Sequence, residues 1–190
     1  MELSPLGRAE WMRFFGLLYG KETEADSLFN SVETAYCSLC DKVKDVKERK
    51  TVFSELKSSS AWYVPGGKST TARLFADAGA DYVFSNTQQS GSIPLSFETV
   101  LDRAQKADFW LIKYNQAKDK TYSELKSDYE PYTRFEAYKK RCVYGCNTGR
   151  ILFYENTPFH PERLLKDLIS VFYPEKLEGY VPVYFSKLAE

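Results

Sequence analysis

The chain has no surplus of charge: 26 Lys and Arg stand against 26 Asp and Glu. An electrostatic grip on nucleic acid draws on a basic stripe that displaces counterions, and this balance argues against one. Long apolar runs are missing too; none approaches the roughly 20 residues that span a bilayer. The opening residues lack the basic, apolar, small-residue order of a signal peptide, and Met1-Glu2 leads straight into a helix signal. Read as complete, this is a cytoplasmic chain; read as a fragment, its address lies upstream of Met1. Histidine is down to one, His160, in Thr157-Pro158-Phe159-His160-Pro161. No serine or cysteine motif stands beside it to be activated by a base, so a surface or capping role is expected. Paired carboxylates do not stand out, and no catalytic constellation is visible.

Cysteine is scarce as well. Cys37, Cys40, Cys142 and Cys146 form two short-spaced pairs of the kind zinc sites use. Cys37 and Cys40, however, fall one turn apart inside a predicted helix, and Cys142 and Cys146 flank a short strand. Structural thiols or an optional disulfide are the expected reading, with a four-ligand zinc site as the alternative.

What is abundant is packing material. Apolar residues make up 43% and aromatics 16%, including 14 Tyr and 13 Phe, too much for a disordered segment. With 190 residues and about 150 per domain, one domain is expected, with room for an appendage. At this size folding buries roughly 70% of the chain's surface, so no disulfide or metal is needed to hold a core.

From Ser4 the pattern is helical, with Ser4 as cap and Pro5 at the first position. Trp11, Phe14, Phe15 and Leu18 form a one-faced stripe, and a break is expected near Gly20-Lys21. A second stripe, Ala25, Leu28, Val32, Tyr36 (or Ala35), Leu39, Val43 and Val46, predicts a core-facing helix of about 22 residues. Thr51–Ser54, Ala61–Gly67, Ala80–Phe84 and Ala107–Ile112 then read as strands, and Val143–Gly145 as a short edge strand. Helices are predicted over Ser69–Ala78, over Phe97–Lys106 with Ser96 as cap, within Thr121–Arg141, and over Glu162–Phe172 opened by Pro161; Ser85–Ser92 reads as a polar loop. Strands alternating with helices indicate an α/β fold: three layers around a mostly parallel sheet, preceded by a long helix and a second helix.

Gly66-Gly67-Lys68-Ser69-Thr70, between a strand and a helix, invites a phosphate-binding reading, but that motif requires glycine five residues before Gly67, where Trp62 stands. A strand-to-helix turn is expected, with a cytoplasmic nucleotide- or cofactor-binding enzyme as the alternative. Aromatic and amide groups gather where predicted strands end: Trp62-Tyr63, Ser85-Asn86-Thr87 and Tyr114-Asn115. In open α/β sheets, ligands bind outside those carboxyl ends.

Several segments, in order, resemble one family. Ser4-Pro5-Leu6-Gly7-Arg8-Ala9-Glu10-Trp11 with Gly20-Lys21-Glu22-Thr23-Glu24-Ala25 is similar to the interlobe helix and following helix of the ABC-importer binding proteins for ferric siderophores, haem and cobalamin. Trp62–Ser69, Phe75–Tyr82, Pro94–Val100, Ala107–Ile112, Val143–Thr148 and Pro161–Leu168 resemble their second lobe. The resemblance implies that residues 1–20 are the interlobe helix and 21–190 the carboxyl lobe, with the amino lobe and export or lipoprotein signal upstream. It implies a non-enzymatic, periplasmic or lipid-anchored solute-binding protein with no resident cofactor. A ferric siderophore, haem or cobalamin-type ligand would lie between the lobes. Half of that cleft is expected at Trp62, Tyr63, Ser85, Asn86, Tyr114 and Asn147, and Glu98, in a helix first turn, is the expected docking carboxylate for the permease. The apolar face of the first helix makes self-association of an isolated lobe plausible.

Overall fold

The computed structural model describes residues 2–190. Its lead-in is two helices, α1 (Pro5–Ala9) and α2 (Trp11–Leu18), rather than one. Ser4 Oγ accepts the Gly7 N–H at 3.2 Å, and the helix tightens at Glu10, whose carbonyl accepts from Arg13 three residues on. The break at Gly20 has a clear cause. Gly20 adopts φ +64°, Gly20 N–H bonds the Leu17 carbonyl, and Lys21 N–H bonds Gly16, which is the left-handed glycine cap that ends many helices.

Helix α3 (Glu22–Val43) buries Ala25, Phe29, Val32, Tyr36, Leu39 and Val43. The predicted stripe is corrected at two positions: Leu28 is 59% exposed and Phe29 takes its place, and Val46 lies beyond the helix, which ends at Val43. A methyl added at Gly16 would lie 2.4 Å from Ala25 Cβ, so α2 and α3 cross at a distance only glycine allows.

The main sheet holds β1 (Lys50–Ser54), β4 (Ala80–Tyr82), β6 (Phe109–Tyr114), β7 (Val143–Asn147) and β8 (Ser186–Lys187), in the order β4-β1-β6-β7-β8. The first four run parallel and β8 antiparallel. A second, antiparallel sheet holds β2 (Lys57–Ser58), β3 (Ala61–Pro65) and β5 (Ser92–Leu95). The helices are completed by α4 (Thr70–Asp77), α5 (Phe97–Ala104), α6 (Tyr122–Asp128), α7 (Glu136–Lys139), α8 (Phe153–Asn156) and α9 (Pro161–Phe172).

Strand alternation divides the core into two halves. Phe109 points to Phe172 of α9, which also meets Phe75 of α4, and α9 packs on α3. Its neighbour Trp110 points the other way, onto Phe135, which meets Phe97 of α5. Phe53 and Trp110 are register partners on β1 and β6, their rings stacked at 5.2 Å. A mostly parallel sheet with helices on both faces is therefore the architecture, as its sequence alternation indicates.

Three strand expectations are corrected. Ala61–Pro65 does not join the parallel sheet but pairs with β2 and β5; Pro94 sits in the outer strand β5, where a missing N–H is tolerated. The strand expected at Ala107–Ile112 begins at Phe109, because Asp108 caps the strand before it: its carboxylate accepts from Thr51 N–H and Oγ at 2.9 and 2.8 Å. Val143–Asn147 is an interior strand, covered on its far side by β8. Cys37 and Cys40 stand on α3, Cys142 beside β7 and Cys146 within it; among the described residues no three His, Cys, Asp or Glu side chains come together to hold a metal ion.

The segment leading into β8 is held by one buried carboxylate. Asp167 of α9, wholly buried, accepts from Tyr180 Oη at 2.6 Å and from the N–H groups of Val183, Tyr184 and Phe185. Burial pushes its pKa above the usual carboxylate range, while these four donors pull it down. Removing the acceptor strands several donors at roughly 1 kcal/mol each. Asp167→Ala should thus lower the unfolding free energy by about 3 kcal/mol, read from urea denaturation, and release residues 180–188 to amide exchange; Asp167→Asn should lose less.

Candidate functional site

The carboxyl ends of β1 and β6 open into a surface cleft of about 480 Å³, within the usual size of ligand sites. Its floor is an ion pair, Glu55 with Lys113, each side chain about one-fifth exposed. Lys113 is the penultimate residue of β6, and its ammonium also lies 5.8 Å from the Phe153 ring centre. Glu55 follows β1 directly and has φ +71°, a left-handed conformation unusual for a residue with a side chain. Two tryptophans hold that turn: Trp62 Nε1 donates to the Ser54 carbonyl at 3.1 Å and Trp110 Nε1 to the Glu55 carbonyl at 2.9 Å.

Around this floor stand Arg8 of α1, Tyr63 of β3, Thr70 and Thr71 in the first turn of α4, and Tyr154 of α8. Tyr63 and Tyr154 are 51% and 62% exposed. Arg8 donates from Nε to the Glu2 carbonyl at 3.2 Å and has no carboxylate partner among the described residues. The site therefore offers two exposed phenols, a guanidinium without a carboxylate partner and a paired lysine.

Of the residues expected from sequence, Tyr63 lines this cleft. Trp62 is corrected: it is fully buried, packed among Phe53, Phe97, Trp110 and Phe135, so no ligand reaches it. Asn147 is corrected too. Its amide donates to the Gln116 and Lys118 carbonyls at 3.0 and 3.1 Å, and its Oδ1 accepts from Gly149 and Gln116 N–H. It shapes a loop and has little left to offer a ligand. Tyr114 is half-buried, its hydroxyl accepting the Lys120 N–H at 2.9 Å, and it lies outside the cleft lining. Ser85 and Asn86 are exposed, but Ser85 lines a separate hollow beside Lys68 and Ser69. Glu98 is exposed in the first turn of α5 and forms no ion pair among the described residues.

Arg8, Glu55, Thr70, Lys113 and Tyr154 were absent from the sequence expectation. The signal for two of them was present: a charged side chain placed at, or just past, the end of a buried strand, where the same strand-end rule already singled out Tyr63.

The glycine turn is closed to phosphate. Gly66 N–H donates to Gly91 O, Lys68 to Gln89 O and Ser69 to Gly66 O, while Gly67 N–H donates to Thr87 Oγ1 at 2.7 Å. These four amides are committed internally and cannot cradle an anion. The glycines serve close packing instead: a Cβ at Gly67 would sit 2.3 Å from the Ser85 carbonyl oxygen. His160 precedes α9 with Nδ1 3.1 Å from Glu162 Oε1, a capping-end position.

A family model described as periplasmic binding protein matches residues 1–148. An uncharacterized lipoprotein of Methanocaldococcus jannaschii is 29% identical over 188 residues, which is 98% of this chain but 44% of the lipoprotein. The chain thus spans less than half the length of that relative. Among solved structures, the TroA-like periplasmic binding protein FepB from Veillonella parvula superimposes with TM-score 0.71 at 17% identity, over 95% of this chain and 61% of that one. The periplasmic haem-binding protein RhuT from Roseiflexus gives 0.72 at 18% identity, over 91% and 64%.

The two neighbours Trp62 and Tyr63 should separate cleanly by experiment. Trp62→Ala is expected to cost about 3–5 kcal/mol of stability, whereas Tyr63→Ala should stay within about 0.5 kcal/mol of the parent, both by urea denaturation.

Proposed function

The chain belongs to the periplasmic binding protein family, and from that premise we propose that it is the carboxyl lobe and joining helix of an ABC importer's solute-binding component. Its ligand would be an anionic ferric chelate or a haem-type macrocycle, held by Arg8, Tyr63, Lys113 and Tyr154 against an amino lobe outside this sequence. The observation that carries the reading is the cleft at the strand ends, which sets exposed aromatic faces beside cations. Aromatic surface stacks on a planar or aryl-bearing ligand, and a guanidinium without a carboxylate partner favours a carboxylate or hydroxamate oxygen. The haem-binding structural neighbour supports the ligand class, and the lipoprotein relative supports an extracytoplasmic, lipid-anchored location.

The apolar face of α2, with Trp11, Phe14 and Leu18 at 51%, 48% and 61% exposure, fits the same reading as the seat of the amino lobe. A preformed cleft of this kind closes little around its ligand. Half of it buries only part of the ligand surface, so affinity belongs to the two-lobed protein.

In that two-lobed protein, titration with haemin and with the trianionic tris-catecholate ferric enterobactin, followed by tyrosine and tryptophan fluorescence, should give saturable one-to-one binding of at least one probe. Arg8→Ala and Tyr63→Ala should each weaken it about tenfold, the effect of losing roughly 1.4 kcal/mol. Saturable binding of neither probe, or parental affinity in both variants, would refute the assignment. Glu98 gives a second, separate check. Ser96 Oγ already caps α5 through the Thr99 N–H at 3.1 Å, and a first-turn carboxylate contributes at most about 1 kcal/mol to its helix. Glu98→Ala should therefore fold and bind ligand normally yet slow permease-dependent uptake into proteoliposomes at least several-fold.

A further inference from the structure

Below the cleft lies a second, more enclosed cavity of about 220 Å³. It shares Arg8, Thr70, Thr71, Lys113 and Tyr154 with the cleft, which form its mouth. Its interior is apolar, walled by Leu74 and Phe75 of α4, Leu111 of β6, Phe153 of α8, Leu164 of α9 and Phe185. Interiors of folded domains are normally filled to crystal-like density, so a space of this size is a departure. A dry cavity of roughly 150 Å³ lined by such side chains already holds a benzene ring.

Two polar atoms interrupt the apolar wall. Ser54 Oγ and Thr70 Oγ1 are buried without a hydrogen-bond partner, and Ser54 is only 2% exposed. Both residues line the cavity. An unpaired buried hydroxyl is costly, and native structures leave few of them. Each can donate one hydrogen bond and accept others. Arg8 and Lys113 also line the cavity, but on the edge it shares with the cleft, where Lys113 is already paired with Glu55; away from that edge the wall carries no charge. A charged group would lose its hydration here without a partner, whereas a neutral hydroxyl would satisfy both side chains.

We propose that this cavity is a binding compartment for one neutral, phenol-sized aromatic alcohol, its ring among the Phe and Leu side chains and its hydroxyl between Ser54 and Thr70. The group arrives either as a free small molecule or as an arm of a larger ligand seated in the cleft. The compartment is defined by its own walls and does not rest on the transport reading.

The test is a methyl NMR titration of the full 190-residue chain with phenol and with benzene, following Leu74 and Leu111. Saturable shifts confined to the cavity are expected, with phenol bound about tenfold more tightly than benzene, as one satisfied hydroxyl edge provides. The Ser54→Ala/Thr70→Val double variant should bring phenol down to the affinity of benzene while leaving benzene unchanged. Thr70 can be replaced because Ser69 Oγ holds the α4 cap through the Ala72 N–H. Leu164→Phe, which fills the space, should abolish both; Leu168→Phe serves if that variant does not fold. Tyramine carried on a polyethylene glycol chain distinguishes the sources: binding matching free phenol indicates an arm passing the mouth, and binding of free phenol alone indicates a small molecule. Absence of saturable binding, equal affinity for phenol and benzene in the parent chain, or shifts that persist in the filled variant would overturn the proposal.

Discussion

The site depends on how two tryptophans end one strand. Trp62 and Trp110 are both fully buried, and each needs an acceptor for its indole N–H. They find it in the successive carbonyls of Ser54 and Glu55, so the last residue of β1 and the first beyond it are fixed by hydrogen bonds from the core. That anchoring sustains the left-handed backbone of Glu55, which in turn aims its carboxylate at Lys113. Phe53 stacked on Trp110 continues the same cluster across the β1–β6 pair. Packing in the core and geometry in the cleft are therefore one arrangement, and a change in the aromatic cluster propagates to the charged floor.

The second sheet explains why the glycine turn before α4 is not an anion cradle. The chain leaves the main sheet after β1, pairs as β3 with β5, and returns to α4 through Gly66-Gly67. The segment 87–91 supplies most of the acceptors for the amides of that turn, and glycine is required because its Gln89 carbonyl oxygen would lie 2.2 Å from a Cβ at Gly66 and its Thr87 carbonyl oxygen 2.5 Å from one at Gly67. The turn is a structural clasp between two loops. The proposed recognition falls to side chains on the other flank, chiefly Tyr63, Arg8 and Tyr154, where solvent has access.

Much of the fold was legible because local signals and tertiary packing agree. Ser4-Pro5, Gly20, Ser96 and Pro161 each act where their backbone chemistry places them. The parallel core followed from strands alternating with helices. Legibility failed where a contact distant in sequence decides the outcome: β8 is two residues long and follows a segment held by Asp167, and β5 forms only against β3. At the site, Trp62 and Tyr63 were taken together although strand alternation sends them to opposite sides, one to the core and one to solvent. Asn147, placed in the cleft by the resemblance, is consumed by its own loop. Glu55, Lys113 and Arg8 were missed because their convergence joins a strand exit, a neighbouring strand and the first helix, and no spacing in the sequence encodes that meeting. Leu28 and Phe29 differ by only one helical position, too little for a stripe to resolve.

The central claim is that ligand recognition occurs on the face defined by Tyr63, Glu55, Lys113 and Arg8. Amide hydrogen exchange of the two-lobed protein, with and without saturating haemin, tests it directly. The account expects new protection at residues 55–56, 63, 90–92 and 113, with the turn at 66–69 and the loop at 85–86 unchanged. Protection concentrated at 66–69 or 85–86, with none around Glu55 and Lys113, would contradict it.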